Sequence, residues 1–218
     1  MLSIRAERDV GLTADLESAF WKGVPSITMD KSVLGPEVPA LRAEIRSRWT
    51  DKNIYFLFAG HYEKLTLNSN PDVIHETPHL WEKDVFEVYL GGDAEHPNRY
   101  REFQVSPQGE FLDNDIDSTV RRAGLNGEEA WNSGFKVKAR IDEESKIWYA
   151  EMQIPLASID SRQPQVGNEY RANFYRQDNL SQPEPRRPRA FVAWQPPGVW
   201  NPHHPEKFGT LRLVEGIQ

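Results

Sequence analysis

The chain has 218 residues, and its 26 Lys and Arg against 33 Asp and Glu give a formal net charge of −7. This length is enough to bury a substantial core, and we predict a single domain over residues 1–218. The acidic balance argues against a nucleic-acid partner, and the longest apolar run, residues 54–59, is far shorter than the roughly 20 residues of a membrane-spanning helix.

The first ten residues alternate charged and apolar side chains and lack the unbroken apolar core of a secretory signal. The absence of cysteine excludes disulfides and thiolate metal sites, but it leaves the cellular compartment open. Aromatic residues are abundant, with 7 Trp, 7 Tyr and 10 Phe. Seven tryptophans are many for this length. One interpretation is that they are large core-filling residues, and the other is that some of them are stacking surfaces for a ligand.

Apolar residues recur with a period of two along most of the chain, which predicts strands. Residues 15–21 are expected to form a short helical turn, and residues 26–29 an edge strand. Apolar and charged side chains alternate over residues 41–49, which indicates a half-exposed antiparallel strand. A turn at 50–53 and a run of β-branched and aromatic residues at 54–62 complete a predicted β-hairpin.

Seven further runs are predicted to be strands: 85–90, 100–106, 135–141, 147–154, 169–177, 190–194 and 208–214. A second short helical turn is expected at 156–159. Because turns or loops rather than helices join most of these roughly ten strands, the predicted fold is an all-β antiparallel sandwich or jelly roll. The connections at 63–83, 91–99, 113–134 and 178–189 are long, and loops of that length are often functional.

Three segments carry weak signals for a site. The D-x-D-x-D motif at 113–117 has oxygens suited to calcium but lacks the glycine and terminal glutamate of an EF-hand loop, so a solvated acidic turn is the simpler interpretation. His75 and His79 are four residues apart, but the proline between them argues against a helical zinc face. The Pro- and Arg-rich residues 182–189 are interpreted as a stiff, solvated loop.

Three carboxylates lie in or beside two neighbouring predicted strands. Glu87 belongs to one strand, Glu102 to the next, and Asp84 precedes the first. If the strands pair, Glu87 shares a polar face with Glu102 or Gln104, because alternate residues of a strand point to the same side. Such a face suits hydrogen bonding to hydroxyl groups, and a glycosidase also requires two carboxylates at one place. A carbohydrate-active hydrolase using Asp84, Glu87 and Glu102 therefore stays an alternative to a binding site.

Four short motifs follow one another along the chain. Residues 49–55 are W-T-D-K-N-I-Y, and residues 81–87 are W-E-K-D-V-F-E. Residues 170–176 are Y-R-A-N-F-Y-R, and Trp194 precedes P-E-K-F-G at 205–209. In this order, over nearly the whole chain, they resemble the motifs of family 9 carbohydrate-binding modules and their family-9-like, DOMON-related relatives. The second motif resembles the family's W-x-x-D-x-x-E pattern, whereas the first departs from the family's W-D-x-x-x-L-Y because a threonine shifts the aspartate by one position.

The resemblance implies a lectin-like β-sandwich that holds the end of a mono- or oligosaccharide, such as a plant or bacterial glycan, between two tryptophans. Trp81 matches the first stacking tryptophan, and Glu87 matches the acidic group that accepts hydrogen bonds from sugar hydroxyls. Gln104 falls where characterised sugar binders carry a basic residue. Trp200 matches the second tryptophan, although its spacing to Phe208 is longer than in the family.

Four further residues belong to the candidate site that the resemblance implies. Asn201 and His203 follow the second tryptophan, Asp84 lies within the second motif, and Arg176 ends the third. The implied activity is binding without catalysis, so no cofactor is required, while the family's structural calcium is implied without ligands that the sequence assigns. The family also implies an extracellular or periplasmic, secreted protein, although the chain shows no signal-peptide pattern.

A third interpretation is a haem-binding or protein-interaction sandwich, because related folds of the wider superfamily hold haem. Haem iron usually takes His or Met as axial ligands. Met1, Met29 and Met152, together with the scattered histidines, form no evident pair. A colourless purified protein would argue against this interpretation.

Overall fold

The computed structural model describes residues 1–92, 95–119, 131–178 and 190–216, which form 13 strands and several single-turn 3-10 helices. The strands are β1 Leu2–Arg5, β2 Ile27–Met29, β3 Lys31–Ser32, β4 Ala43–Trp49, β5 Asn53–His61, β6 Val85–Gly91, β7 Arg99–Val105, β8 Phe111–Asp117, β9 Lys136–Asp142, β10 Ile147–Pro155, β11 Glu169–Asp178, β12 Ala190–Ala193 and β13 Gly209–Val214. The 3-10 turns are Pro39–Leu41, Leu80–Glu82, Leu156–Ser158 and Pro205–Lys207. The predicted all-β class is confirmed.

The strands pack as two layers with an aromatic core between them. Hydrogen bonds connect the strands in the order β8-β7-β6-β11-β13-β1-β4-β5-β10-β9, and β1 joins the two halves of this path. Across the core, Phe86 of β6 stacks on Phe58 of β5 and on Trp148 of β10, with ring centroids 4.7 and 4.1 Å apart. Burial of such large side chains between facing layers is the main stabilising contribution in a sandwich.

The first strand differs from the sequence-based expectation, which assigned no element to residues 1–10. β1 pairs in parallel with both β13 and β4, whereas the other pairings between described strands are antiparallel. Its Ile4 is buried in a small apolar cluster with Trp21 and Tyr55. A four-residue strand has too few alternations to be recognised, and its pairing depends on partners that are distant in sequence.

The predicted hairpin is confirmed, because β4 and β5 pair antiparallel along their length. In the turn between them, the hydroxyl Oγ1 of Thr50 accepts a hydrogen bond from the Asn53 N–H at 3.0 Å, and the Thr50 N–H donates to the Asn53 carbonyl at 2.8 Å. A threonine side chain that bonds the backbone in this way stabilises a tight turn. Leu41 itself lies in a 3-10 turn, so the strand begins at Ala43.

The acidic motif at 113–117 lies on β8, which corrects the expectation of a long loop or a solvated acidic turn. β8 pairs with β7, and this register sets Asp115 opposite Arg101 and Asp117 opposite Arg99. Asp115 forms an ion pair with Arg101, and Asp117 Oδ2 lies 3.4 Å from Arg99 Nε. These cross-strand pairs stabilise an acidic strand that the local sequence does not favour.

The short helical elements and the remaining segments follow the expectations in part. Residues 15–21 form hydrogen-bonded turns rather than a helix, whereas a 3-10 turn is present at Leu156–Ser158 as expected. The Pro- and Arg-rich segment 182–189 lies outside the described residues. Within the described ranges, no helix has the length and apolar character needed to span a membrane.

Five of the seven tryptophans pack against hydrophobic clusters, as expected from their positions: Trp21, Trp49, Trp131, Trp148 and Trp194. The other two are more accessible. Trp81 is half-buried over a small apolar cluster, and Trp200 is 50% exposed. Both lie in connections between strands, where side chains are free to face a ligand.

Candidate functional site

The outer face of the first layer carries polar and aromatic side chains. On β6, Phe86 faces the inter-layer core, so the alternate residues Glu87 and Tyr89 face the other side. β7 pairs antiparallel with β6, which places Gln104 opposite Glu87 and Glu102 opposite Tyr89. The prediction that these polar residues share one face is therefore confirmed.

A cavity of ≈ 360 Å³ opens above this face. Its described lining residues are Trp81, Glu87, Tyr89, Glu102, Gln177, Phe191, Trp200, Pro202 and His203. Strands β6, β7 and β11 supply the polar floor, while β12 and two loops supply aromatic walls. The volume and the mixture of aromatic and polar groups are typical of a small-molecule binding site.

Glu102 is a buried carboxylate in this cavity, and its side chain is held by three hydrogen bonds. Its Oε1 accepts hydrogen bonds from the Tyr89 hydroxyl at 3.1 Å and from Gln104 Nε2 at 2.6 Å. Its Oε2 accepts one from Asn114 Nδ2 at 3.3 Å. These contacts fix the carboxylate before any ligand arrives, which lowers the entropy cost of using it.

Glu87 lies on the cavity floor beside a residue that the sequence analysis missed. Gln177 Nε2 donates a hydrogen bond to Glu87 Oε1 at 2.7 Å. Gln177 lies on β11, two residues after Tyr175, which the β11–β6 register places opposite Glu87. Period-two alternation puts Gln177 on the same face of β11 as Tyr175, but it does not tell which of the two buried faces meets the cavity.

Trp81 is positioned by a 3-10 turn at the end of the long connection before β6. The turn Leu80–Glu82 follows His79, whose backbone is left-handed with φ 58°. The His79 ring contacts the Trp81 ring edge-on, with centroids 4.9 Å apart. Trp81 also packs against the buried cluster of Leu80, Val85 and Leu112, so one part of its indole is structural and another lines the cavity.

The segment that carries Trp200 is anchored to the first layer by two tyrosines. The Tyr175 hydroxyl donates to the Pro202 carbonyl at 2.9 Å, and the Tyr100 hydroxyl is 2.7 Å from His203 Nδ1. The His203 ring also stacks on Tyr89, with centroids 5.5 Å apart. His203 is therefore both a lining residue and an anchor, while Trp200 itself extends into solvent.

The tyrosines beneath the cavity stay protonated. Burial raises the pKa values of Tyr89, Tyr100 and Tyr175 well above the ordinary value, and the nearby carboxylates Glu102 and Glu87 raise those of Tyr89 and Tyr175 further. Glu102 does the same for Tyr100. Each hydroxyl therefore remains a hydrogen-bond donor throughout the ordinary pH range.

The structure does not bring Asp84 and Arg176 to the cavity. Arg176 lies on the inner side of β11, where its Nη1 donates to the Leu41 carbonyl at 3.0 Å and its Nη2 is 3.7 Å from Asp178 Oδ2. Burial lowers the pKa of Arg176 to about 10 and raises that of Asp178 to about 6, with Asp84 adding to the latter. Asp84 accepts a hydrogen bond from the Thr66 N–H. These residues form a buried charged cluster on the opposite side of the layer.

Gln104 and Asn201 belong to the site indirectly. Gln104 is buried behind Glu102 and does not itself line the cavity, and its Oε1 has no hydrogen-bond partner within the described residues. Asn201 is exposed, and its Oδ1 accepts a hydrogen bond from the His203 N–H at 3.1 Å. The first residue orients a carboxylate and the second shapes the segment that bears Trp200.

The strongest candidate for the implied structural calcium is a pair of carboxylates in the connection before β6 and on β8. The side chains of Glu76 and Asp113 share a hydrogen bond, and Thr77 Oγ1 is buried without a partner among the residues described. Burial, and then Asp113, raise the pKa of Glu76 to about 7. Calcium takes six to eight oxygen ligands, and the described residues contain no group of three or more acidic or histidine side chains that could hold a metal. The described side chains of this cluster therefore supply two carboxylates and one hydroxyl, fewer oxygens than calcium takes.

Met29 and Met152 are not placed to bind a haem iron in the cavity. Met29 and Met152 are fully buried in the inter-layer core, on the opposite side of the layer from the cavity. His203, which does line the cavity, has its Nδ1 bonded to Tyr100. An axial pair would require a second ligand near His203, and neither Met29 nor Met152 lines that cavity.

One family model matches most of the chain, and several solved structures share its fold. A family model described as carbohydrate family 9 binding domain-like matches residues 14–216. No curated protein matches the chain significantly. A protein from Bacteroides uniformis, provisionally described as carbohydrate-binding, has a TM-score of 0.69 and 18% identity, with 98% of each chain covered.

Two further solved structures are family 9 carbohydrate-binding modules from Caldicellulosiruptor kristjanssonii. The one in complex with cellotriose has a TM-score of 0.66 and 15% identity and covers 100% of this chain and 95% of its own. The one in complex with glucose has a TM-score of 0.65 and 15% identity, and the match covers 100% of this chain and 96% of the glucose-bound module. At such low identity, these structures establish a shared fold.

Proposed function

We propose a function for this chain, which belongs to the carbohydrate family 9 binding domain-like family. The chain binds the end of a carbohydrate between Trp81 and Trp200 and does not catalyse a reaction. Two structures of the same fold were solved with cellotriose and with glucose. The observation that carries the proposal is the cavity, whose lining combines tryptophans from two separate loops with the buried polar residues Glu87, Glu102 and Gln177.

The chemistry of a sugar matches the chemistry of this cavity. A pyranose ring presents faces of C–H groups that pack on aromatic rings such as those of Trp81 and Trp200. Its hydroxyl groups need directed partners, because burying an unpaired hydroxyl costs about 1–3 kcal/mol. The carboxylates of Glu87 and Glu102 accept hydrogen bonds, and the Gln177 amide both donates and accepts them.

The arrangement supports weak, reversible binding. Two stacking contacts and a few hydrogen bonds, less the cost of ordering the ligand, correspond to dissociation constants between about 1 mM and about 1 μM. Aromatic surfaces and orienting polar groups are sufficient for this activity. Binding of this kind requires neither a cofactor nor a nucleophile.

The test is isothermal titration of the purified chain with glucose, cellobiose, cellotriose, xylose and galactose, with tryptophan fluorescence recorded in parallel. We expect saturable binding of at least one sugar and a fluorescence change, because Trp81 and Trp200 line the cavity. Absence of binding across this panel and across soluble glycans would overturn the proposal.

A matched pair of variants ties the binding to the cavity. Glu87→Gln removes a carboxylate that lies on the floor and should weaken binding about tenfold or more, since hydrogen bonds to charged groups contribute about 1.5–3 kcal/mol. Glu169→Gln is the control, because Glu169 lies at the exposed start of β11 and pairs with Arg212. Equal loss of binding in both variants would contradict the assignment of Glu87.

Hydrolysis is the second candidate, and it is favoured by the two carboxylates in one cavity. Glu87 and Glu102 both line it, whereas Asp84, the third residue of that hypothesis, does not. Two carboxylates are the minimum for glycoside hydrolysis. Prolonged incubation with the oligosaccharides that bind, followed by chromatography, distinguishes the candidates, because a binding module returns each oligosaccharide intact.

A further inference from the structure

The geometry points to a ligand class narrower than carbohydrates in general: the cavity prefers a sugar that carries a protonated amino group to the same sugar with a hydroxyl in that place. The inference rests on the proposed function and names the substrate class of the same site. It is carried by Glu102, a carboxylate in the cavity that is 3% exposed, and by the aromatic side chains around it.

The donors around Glu102 are uncharged. A carboxylate has about four lone-pair sites for hydrogen bonds, and Tyr89, Gln104 and Asn114 fill three of them. Two of these bonds go to Oε1 and a single one, at 3.3 Å, goes to Oε2. Oε2 therefore retains capacity for a donor from a ligand, and an ammonium donor makes a stronger bond there than a hydroxyl does.

Cationic side chains of the same strand are engaged elsewhere. The described lining of the cavity contains no lysine or arginine. Arg101, next to Glu102 on β7, faces the other side of the layer, where it pairs with Asp115 and its Nε donates to the Ser158 carbonyl at 3.1 Å. Arg99 pairs with Asp117. Neither arginine is placed to neutralise Glu102.

Most groups that face Glu102 from neighbouring strands and loops are carboxylates or uncharged hydroxyls: Glu87 and Tyr89 on β6, Tyr100 on β7 and Tyr175 on β11. His203, on the segment before β13, also lines the cavity. Two further charged groups, Arg171 and Glu206, act on Tyr100. The Arg171 guanidinium donates to the carbonyls of Pro205 and Pro97 at 3.2 and 2.7 Å, and it does not line the cavity. His203 Nδ1 shares a hydrogen bond with Tyr100. A cation that enters the cavity therefore meets favourable electrostatic interactions. A neutral hydroxyl in the same place gains much less from them.

Aromatic rings supply a second attraction for a cation. Trp81, Tyr89, Phe191 and Trp200 all line the cavity. The electron-rich face of an aromatic ring attracts an ammonium group within about 6 Å, and the attraction grows when water is excluded. An amino sugar would satisfy both features of the cavity, because its ring stacks on indole while its ammonium group reaches Glu102.

The experiment compares D-glucose, D-glucosamine and N-acetyl-D-glucosamine by isothermal titration at about pH 6. The electronegative oxygens beside the amino group lower its pKa to about that of an α-amino group, roughly 8, so the amine is protonated at this pH. We expect glucosamine to bind at least about tenfold more tightly than glucose, a difference of about 1.4 kcal/mol. N-acetylglucosamine should lose this advantage, because acetylation removes the charge. The preference should also shrink at about pH 9, where the amine is neutral. The β-1,4-linked glucosamine disaccharide distinguishes recognition of a chain end from recognition of the free monosaccharide.

The affinity for glucosamine divided by the affinity for glucose is also measured for two variants. Glu102→Gln should reduce the ratio towards one, whatever its effect on glucose binding alone, while Asp117→Asn, which removes a carboxylate outside the cavity, should leave the ratio unchanged. Glucose bound as tightly as glucosamine at about pH 6 would overturn this inference and leave the proposed function standing. If none of the sugars binds, the proposed function itself is overturned, and the inference with it.

Discussion

Replacing Trp200 with alanine separates ligand contact from folding. The side chain is 50% exposed and lies on the segment between β12 and β13. That segment is held by contacts of its neighbours, from the Tyr175 hydroxyl to the Pro202 carbonyl and from the Tyr100 hydroxyl to His203. Trp200→Ala therefore removes an aromatic surface while the anchors of the segment remain.

The size of the effect follows from the exposed area of Trp200. A tryptophan side chain offers about 200 Å², and half of it is exposed here, so a sugar ring covers at most about 100 Å² of indole. At about 25 cal/mol per Å², covering that surface contributes up to about 2.5 kcal/mol. The dissociation constant should therefore rise about ten- to sixtyfold, while the free energy of unfolding falls by less than about 1 kcal/mol.

The assay is isothermal titration with the tightest-binding sugar of the panel, together with urea denaturation followed by circular dichroism. Val199→Ala is the matched control, because Val199 is adjacent, 42% exposed and outside the described cavity lining. A Trp200→Ala variant that binds within about twofold of the unmodified chain would refute the stacking role. A large loss of stability in that variant would refute the claim that the segment is anchored by its neighbours.

The remaining predictions concern the stability of the folded chain. Trp81→Ala should weaken sugar binding. It should also lower the free energy of unfolding by about 1–3 kcal/mol, because Trp81 packs on Leu80, Val85 and Leu112. Urea denaturation without sugar measures the loss of stability, and unchanged stability would contradict the packing role of Trp81. Stability should decrease as pH rises from about 4.5 to about 7, because burial and Asp113 raise the pKa of Glu76 to about 7 and the native state holds that proton more tightly than the unfolded chain. After screening at this half-buried position the contribution of Glu76 is about 1 kcal/mol. Glu76→Gln should reduce the pH dependence measured by urea denaturation without abolishing it, because the raised pKa of Asp178 acts in the same direction. An unaltered slope would exclude a contribution from Glu76.

Local patterns in the sequence were sufficient for most of the fold. Period-two alternation and turn residues predicted the β4–β5 hairpin, because both signals lie within about twenty residues of one another. The same reasoning predicted that Glu87 and Gln104 share a face, and the antiparallel register places them directly opposite. The spacing from Trp81 to Glu87 and the order of the later motifs were sufficient to identify the family.

Alternation fails where both faces of a strand are buried, and β11 is the example. Most of its residues are buried, so hydrophobicity alone does not tell which side faces the cavity. The sequence analysis assigned Arg176 to the site, whereas the structure places Gln177 there and turns Arg176 inward. A buried arginine is tolerated because Asp178 and a backbone carbonyl satisfy it, and such partners become visible only when distant segments are brought together.

The sequence alone determined the all-β class, the pairing of neighbouring strands and which five tryptophans pack in the core, because each depends on residues close together in the chain. The tertiary structure decided that β1 pairs in parallel with β4 and β13, that the acidic motif at 113–117 is a strand, and that the cavity joins Trp81 to Trp200 over Glu102. These features depend on contacts between segments up to about two hundred residues apart, whose free energy has no local signature in the sequence.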